Sequence, residues 1–450
     1  MSKSFALLLV LVFLTASCII VAEPVLSSTD VVENSWVSKA PLPIFTRAII
    51  GVNGKLYAFS GSGDFGNESY SGDAVLEYDP ISDMWAARRP MPTLRYDFSV
   101  ATFQNKIYLM GGRKVADSEV VGTNEIYDPV TDMWEAKAPM PTPRTQLEAN
   151  VVNGKIYLIG GSSNVSEVYD PAADLWTTAT PPPIPVTGYA SAVVNGKIYV
   201  IGGSDESHNI RDLNQIYDPE SDTWSFGAPL PNAVRQAAAG AKTEVMAPKR
   251  IYVIGGVLAS VPEGTDINQR YTNVNQVYNP ETDSWTLGAP MPTARFDLSV
   301  VVLNDSIYAL GGWPFFNLGV VSLENEQYTP IGYGTVPPKV AVVSPENKTY
   351  NATSVDLVFS VNKPAVWMGY SLDGQENVTV TGNATLSGLS SGLHNITIYA
   401  RDSFDNMGAS ESISFSVEVP FPTTLVATAI GASVAIIGIG LLVYFKKRKR

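Results

Sequence analysis

Residues 151–161 read VVNGKIYLIGG, and residues 193–203 read VVNGKIYVIGG, so the same phrase occurs twice with one difference. Looser copies begin at Val52 (VNGKLYAFSGS), Phe103 (FQNKIYLMGG), Lys249 (KRIYVIGG) and Leu303 (LNDSIYALGG). The Asn-Gly pair favours a two-residue hairpin turn, because both central residues of that turn need positive φ. The Gly-Gly pair marks the end of the second strand, where the backbone turns or closely approaches a neighbour. Each copy of the phrase therefore predicts a β-hairpin.

A second phrase follows each hairpin: Tyr-Asp-Pro or Tyr-Asn-Pro, then Asp-x-Trp. Its copies run Tyr78 to Trp85, Tyr127 to Trp134, Tyr169 to Trp176, Tyr217 to Trp224 and Tyr278 to Trp285. Asp-Pro or Asn-Pro starts a type I turn, in which proline fixes φ and the acidic or amide side chain accepts from the backbone ahead. Each unit thus predicts a four-stranded antiparallel sheet, with strands a to d. A single sheet of this size cannot bury both faces, so the units must stack.

The hairpin glycines and the Tyr and Trp positions resemble the Kelch repeat, whose fold is a β-propeller. The resemblance covers residues 34–333, and the six copies of the hairpin phrase predict six blades. Tyr328 has no Asp-x-Trp after it, whereas Trp36 precedes the first hairpin. We therefore expect residues 34–38 to supply the outer strand of the last blade, which closes the ring and removes its free edges.

The rest of the chain predicts an all-β protein on a membrane anchor. Residues 1–22 match a signal peptide, and residues 334–339 form a Pro-containing linker. Residues 340–419 alternate like short strands and predict an Ig-like β-sandwich, similar to the stalk domains of archaeal and bacterial surface proteins. Residues 425–445 carry no charge and predict one transmembrane helix, followed by a cytoplasmic basic tail at 446–450. We expect a single-pass cell-membrane protein with its N-terminal part outside.

Charge and composition exclude several functions. The net charge of −13 becomes more negative for the outer part once Lys3 and the basic tail are set aside, so nucleic-acid binding is not expected. The single cysteine, Cys18, lies in the signal segment, and the two histidines, His208 and His394, lie in different predicted domains. We predict no catalytic residue, no metal site and no cofactor, because nucleophilic and zinc chemistry need clustered Cys, His or carboxylate groups.

The b–c loops vary in length and share one rim of the predicted propeller with the d–a links. Variable loops on a rigid scaffold are where binding usually occurs, and aromatic and arginine side chains are common anchors. We expect a protein or glycan ligand on this rim. The candidate ligand-binding residues in the loops are Tyr70, Arg211, Tyr271, Trp313 and Phe316. The alternative for Trp313 is that it only covers the propeller rim.

Arginine recurs where the Pro-rich link enters strand a. The four positions are Arg95, Arg144, Arg235 and Arg295. One interpretation is a cationic ring at the channel mouth that binds a carboxylate-bearing ligand. The other is that each arginine pairs with a nearby acid such as Asp97, Glu148 or Asp297.

Eight Asn-x-Ser/Thr triplets are candidate glycosylation sites if the chain is exported. They begin at Asn67, Asn164, Asn304, Asn347, Asn351, Asn377, Asn383 and Asn395.

The leading hypothesis for the function of the chain is a cell-surface recognition or adhesion protein. One alternative is an enzyme similar to Kelch-like sugar mutarotases, which would need an acid–base pair such as Glu148 with Arg144. A structural component of the cell envelope is the other.

Overall fold

A computed structural model describes residues 32–46, 48–59, 64–65, 68–69, 72–241, 245–259, 270–314, 320–418, 435–439, 441, 443–444 and 446–447. The strands of its larger, N-terminal part are β1 (Ser35–Lys39), β2 (Ala48–Val52), β3 (Lys55–Phe59), β4 (Asp64–Phe65), β5 (Glu68–Ser69), β6 (Val75–Asp79), β7 (Met84–Arg88), β8 (Arg95–Tyr96), β9 (Ser99–Phe103), β10 (Lys106–Met110), β11 (Arg113–Lys114), β12 (Asn124–Asp128), β13 (Met133–Lys137), β14 (Glu148–Val152), β15 (Lys155–Ile159), β16 (Ser166–Asp170), β17 (Leu175–Ala179), β18 (Ala190–Val194), β19 (Lys197–Ile201), β20 (Asn214–Asp218), β21 (Thr223–Phe226), β22 (Val234–Arg235), β23 (Ala238–Ala241), β24 (Ile251–Ile254), β25 (Val257–Leu258), β26 (Asn275–Asn279), β27 (Ser284–Leu287), β28 (Ser299–Leu303), β29 (Ser306–Leu310) and β30 (Asn325–Thr329).

These strands form six four-stranded antiparallel sheets, which we number as blades 1 to 6. In strand order a to d, the blades are β2-β3-β6-β7, β9-β10-β12-β13, β14-β15-β16-β17, β18-β19-β20-β21, β23-β24-β26-β27 and β28-β29-β30-β1. The a strands of successive blades contact one another, as the inner strands of a propeller do. The short pairs β8–β11 and β22–β25 join a link to a b–c loop, and β4 pairs with β5.

The turns follow from the two repeated phrases. Asn53 and Gly54 both have positive φ, as do the Asn-Gly pairs at 153–154 and 195–196. The side chain of Asp79 accepts a hydrogen bond from the Ile81 amide at 2.9 Å, and the same bond recurs in the next four blades. The expected hairpin and Asp-Pro turns are therefore confirmed, because local side-chain chemistry determines both.

Packing between blades accounts for the buried residues. The b strands are buried along almost their whole length, and the Tyr of each c strand is at most 2% exposed. That Tyr lies about 5 Å from the Trp of its own d strand, for example 4.9 Å between the rings of Tyr169 and Trp176. The indole nitrogen of Trp176 donates to the carbonyl of Ala138 in the preceding blade. Each aromatic pair thus fills the space between neighbouring sheets and bonds them together.

Blade 6 takes its outer strand from the beginning of the propeller segment. Strand β1 pairs antiparallel with β30, so that Trp36 lies opposite Tyr328. The side chain of Asn34 accepts from the Tyr328 hydroxyl at 2.7 Å and from the Ala289 amide of blade 5. In the other five blades an Asp with positive φ accepts the equivalent two bonds: Asp83, Asp132, Asp174, Asp222 and Asp283. Asn34 therefore accepts in blade 6 the two hydrogen bonds that an Asp accepts in each other blade, although it lies far from Tyr328 in the sequence.

Residues 340–417 form two sheets around one core. The strands are β31 (Val340–Ser344), β32 (Thr349–Tyr350), β33 (Ser354–Val361), β34 (Trp367–Leu372), β35 (Val378–Val380), β36 (Ala384–Ser387), β37 (Gly392–Arg401), β38 (Met407–Ala409) and β39 (Ile413–Val417). One sheet has the order β31-β33-β36, and the other is β32-β39-β37-β34-β35 with β38 beside β37. Leu357 and Leu386 of the first sheet share a buried cluster with Ile396 and Phe415 of the second.

The link between the two domains is bonded on both sides. Gly334 donates its amide to the Met246 carbonyl of the propeller and accepts from the Asn406 side chain of the second domain. The Phe404 ring lies against Gly334, where a Cβ would come within 2.5 Å of it. The buried Lys363 pairs with Asp402 at 2.7 Å and donates to a linker carbonyl. Hydrogen bonds therefore fix the linker to each domain.

The predicted membrane helix falls largely outside the described residues. Of 425–445, residues 435–439, 441, 443 and 444 are described, and these are helical. Among the residues that the structure describes, no helix is both long enough and apolar enough to span a bilayer. The predicted signal peptide at 1–22 lies outside the described residues.

Candidate functional site

One rim of the propeller is built by the d–a links and the b–c loops, which bond to each other. Thr187 of a link pairs with Ser204 of a loop, and Phe296 pairs with Trp313 in the same way. Strand pairing joins Arg235 to Val257 at the equivalent place. We call this surface the loop rim. The opposite rim carries the a–b and c–d turns, which are short except in blade 5, where strand a ends at Ala241 and strand b begins at Ile251.

Three of the four link arginines do not face the channel, which corrects the expected cationic ring. Arg95, Arg144 and Arg295 are each 0% exposed. They pair with Glu125 at 2.5 Å, Glu167 at 3.0 Å and Glu326 at 2.5 Å, respectively. Burial lowers the pKa of all three arginines, and the paired glutamate opposes that effect. The acids expected as partners, Asp97, Glu148 and Asp297, are not the ones that hold these guanidinium groups.

The sequence contains a signal for these ion pairs in the second position of strand c. Blades 2, 3 and 6 combine Arg in the link with Glu in strand c. In blade 4 the same two positions hold Val186 and Gln215, and in blade 5 they hold Val234 and Gln276. The Gln215 side chain bonds the backbone of Ile184 instead. Comparing the copies would have shown that link arginine and strand-c glutamate occur together.

Arg235 stands one residue later in its link than the three buried arginines. Arg95 lies four residues before the start of its strand a, whereas Arg235 lies three residues before Ala238. Successive residues of an extended segment point to opposite sides, so Arg235 points away from the blade interior. It is half-buried and lines the channel mouth, as the cationic-ring interpretation required of all four arginines.

The channel mouth is a cavity of about 670 Å³ on the loop rim. Its wall includes link residues with positive φ, among them Asp97, Gln146, Gln236 and Asp297. Their backbones bond around the axis: the Asp297 amide donates to the Gln236 carbonyl at 2.8 Å, and the Gln146 amide donates to the Asp97 carbonyl at 3.4 Å. Links from neighbouring blades are therefore bonded to each other around part of the mouth.

Glu148 is the first residue of its strand a and lies where the cavity narrows. The residues at the same position in the other five blades are small: Ala48, Ser99, Ala190, Ala238 and Ser299. All six line the narrow part of the channel. Glu148 is accessible from the channel but enclosed by protein, and this burial, with the charge of Asp297, raises the pKa of its carboxyl to about 7. Its expected partner Arg144 is instead paired with Glu167.

The predicted loop residues have different environments. Trp313 lines the cavity and makes an edge contact with Phe45, with ring centres 5.2 Å apart. Tyr271 stacks on the buried Phe296 at 4.9 Å. Arg211 is paired with Asp205 at 3.0 Å. Tyr70 and Phe316 lie outside the described residues.

Most of the candidate glycosylation asparagines lie on the protein surface. Seven of them are described and exposed: Asn164, Asn304, Asn347, Asn351, Asn377, Asn383 and Asn395. Asn67 lies outside the described residues.

In the part of the chain that the structure covers, no three His, Cys, Asp or Glu residues are grouped so as to hold a metal ion.

Comparisons with known proteins agree with this architecture. A family model described as the Attractin/LZTR1 beta-propeller matches residues 125–318, and the Kelch motif matches residues 94–141. Human Kelch repeat and BTB domain-containing protein 12 is 36% identical over 90 residues, which is 18% of this chain and 14% of that protein. Halomucin of Haloquadratum walsbyi is 29% identical over 181 residues, covering 35% of this chain and 2% of halomucin. The chain therefore spans only a small part of the length of these relatives.

The solved structure of YjhT covers 63% of this chain and 95% of its own, with a TM-score of 0.51 and 17% identity. At this identity the match concerns the fold alone. It agrees with the propeller architecture described above. From its repeats, its fold and its relatives, the chain carries a Kelch-type β-propeller.

Proposed function

We propose that the propeller is a protein-interaction domain that binds its partner on the loop rim. The cavity of about 670 Å³ carries this proposal, because it opens where the loops of different length converge. Its lining combines an aromatic side chain, Trp313, with a cation, Arg235, and such residues often dominate binding energy. On the opposite rim, most of the turns that the structure describes are tight, and the longer a–b connection of blade 5 bonds to the linker through Met246.

Site-specific crosslinking tests which rim binds. A photoreactive residue replaces Ser162 on the loop rim or Lys155 beside the opposite turn, both exposed and both in blade 3. We expect a partner to crosslink from position 162 and not from 155. The purified partner should then lose affinity about tenfold or more for Trp313→Ala. Equal crosslinking from both positions, or unchanged affinity of Trp313→Ala, contradicts the proposal.

We further propose that this domain acts outside the cell, on a membrane-anchored stalk. The support comes from the signal-like residues 1–22, the uncharged stretch 425–445 and the basic tail. The two-sheet domain is suited to an Ig-like spacer, and its exposed Asn-x-Ser/Thr triplets suit a glycosylated surface. Protease added to intact cells should remove an epitope in the propeller and spare one at residue 450. The reverse pattern would refute this orientation.

Glu148 favours a second candidate, an enzyme that transfers protons on a small sugar. A general acid–base group works best when its pKa is close to the working pH, and Glu148 lies at the narrowing of an open cavity. Arg235, Asp97 and Asp297 are the other charged residues that line the same cavity. Anomer exchange of sugar acids followed by NMR tests this candidate. Rates that match buffer, or that persist in Glu148→Gln, exclude it.

A further inference from the structure

A smaller pocket of about 270 Å³ lies beside the channel mouth, between blades 3 and 4. We call it the side pocket. It is lined by Gly160, Gly161, Ser162, Ser163, Asn164, Pro185, Val186, Thr187, Ser204, Asp205, Glu206, His208 and Arg235. Arg235 and Ser204 also line the main cavity, so the two recesses share a wall.

Three buried polar atoms of the side pocket have no hydrogen-bond partner among the described residues. They are Ser163 Oγ, Ser204 Oγ and Arg235 Nε. Ser204 is only 5% exposed, so its hydroxyl is withdrawn from bulk water. Buried polar groups are nearly always paired, and an unpaired one costs stability. A polar group bound in the side pocket would supply partners for these three atoms.

The charges of the side pocket indicate the sign of that group. No ion pair of Arg235 is found within the described part of the chain, unlike the three link arginines inside the blades. Asp205 is already occupied by Arg211 at 3.0 Å and by the amides of Ser207 and Asn209. Glu206 and His208 are exposed at the outer edge. An anion is therefore attracted by Arg235 at the inner wall.

We propose that the side pocket binds a single carboxylate group, with Arg235 and the hydroxyls of Ser163 and Ser204 as donors. A guanidinium and two hydroxyls supply donors for both oxygens of a carboxylate. One cation facing the acids Asp205 and Glu206 favours a monoanion over a doubly charged phosphate. This inference rests on the proposed binding function of the loop rim and assigns the chemistry that the ligand presents there.

Calorimetry at low salt on the purified full chain, prepared without N-glycosylation so that Asn164 is bare, tests the proposal. The probes are blocked glutamate (N-acetyl-glutamate amide) and glucuronate, which present the carboxylate of a peptide and of a sugar. Their neutral counterparts are N-acetyl-glutamine amide and glucose. We expect at least one carboxylate to bind saturably and its neutral counterpart to bind about tenfold more weakly or not at all. The probe that binds identifies the source of the carboxylate.

Variants assign the binding to the side pocket. Arg235→Gln and Ser204→Ala should each weaken the carboxylate about tenfold, whereas Arg113→Gln, which removes a cation elsewhere on the loop rim, should change it less than twofold. An unchanged melting temperature shows that Arg235→Gln is folded, and Arg235→Lys should restore part of the affinity. Equal binding of neutral probes, no saturable carboxylate binding, or unchanged binding in Arg235→Gln overturns the proposal. Partner crosslinking that survives Arg235→Gln would leave the protein-interaction function standing.

Discussion

Arg95 Nη1 lies 2.5 Å from Glu125 Oε2, and both side chains are buried inside blade 2. Arg95 also donates to the Leu109 carbonyl, and Glu125 accepts from Thr93. The pair is thus enclosed in hydrogen bonds and is not available to a ligand. In blades 4 and 5 the two equivalent positions hold Val and Gln. Substituting these residues into blade 2 therefore measures how much the ion pair contributes to the unfolding free energy.

Replacing one member of the Arg95–Glu125 pair should destabilise the propeller more than replacing both. Arg95→Val leaves a buried carboxylate without its counter-charge and should cost about 3–5 kcal/mol in unfolding free energy. The double variant Arg95→Val/Glu125→Gln copies blade 4, where Gln215 bonds the link backbone, and should recover roughly 2 kcal/mol of that cost. Denaturant unfolding of the two single variants and the double variant measures the coupling. Strictly additive losses would contradict it.

Asn34 should be needed for the stability of blade 6. Asn34→Ala removes the acceptor of the Tyr328 hydroxyl and of the Ala289 amide, and should cost about 1–2 kcal/mol. Asn34→Asp should be tolerated, because Asp makes these bonds in the other five blades. In the Asn34→Ala variant, the amides of β30 should exchange hydrogen faster than in the unmodified protein, whereas the c strands of the other blades should not change. Asp174→Ala in blade 3 is the matched control, with its effect confined to blades 2 and 3.

The second domain should lose stability as the pH rises above about 6.5. Nδ1 of the buried His394 lies 2.7 Å from Asp373, and Nε2 lies 2.8 Å from the Ser390 carbonyl. Both contacts suit the doubly protonated ring, and the bonds to Ser390 and Asp373 raise the pKa of His394. This stabilisation is complete below the unfolded value, about pH 6.5, and disappears as the pH rises through the folded pKa.

Thermal unfolding across pH 5 to 8, in roughly half-unit steps, checks this dependence. The variant His394→Gln should show a flatter profile over the same range. Asp373 contributes in the opposite direction: burial works against its ionisation, but bonds from Asn395 and His394 lower its pKa. Below about pH 4 that contribution should be lost as well. A second domain that is equally stable at pH 5 and 8 would show that His394 is not bound as a cation.

The carboxyl of Glu148 should respond to Asp297 across the channel. Burial is the larger cause of its raised pKa, and the negative charge of Asp297 adds to it. Asp297→Asn should therefore lower the Glu148 pKa from about 7, while burial keeps it above the usual value of about 4.3. Carbon-13 NMR of glutamate carboxyls, assigned with Glu148→Gln, gives the titration. Asp97→Asn, at the same link position in blade 2, is the control and should leave it unchanged.

Much of the fold could be predicted from the sequence because local chemistry determines it. The Asn-Gly and Asp-Pro turns depend on two or three adjacent residues, and their copies indicate the number of sheets. The link arginines could not be placed by the same reasoning. Arg95 lies four residues before its strand a and faces the blade interior, whereas Arg235 lies three residues before its strand a and faces the channel. A difference of one residue therefore decides which way the side chain points. That offset becomes visible only when the blades are aligned, as does the single Glu148 among small residues.

The way the chain leaves the propeller determines how the molecule would carry tension. Strand β30 leads directly into the linker, and it is hydrogen-bonded on both sides, to β29 and to β1. A pull on the second domain therefore acts on a strand that is hydrogen-bonded to a neighbour on each side. The force is directed along the strand, so all of these hydrogen bonds are sheared together, whereas an edge strand would be peeled off one bond at a time. Since one neighbour is the N-terminal strand, both ends of the propeller segment resist the same force.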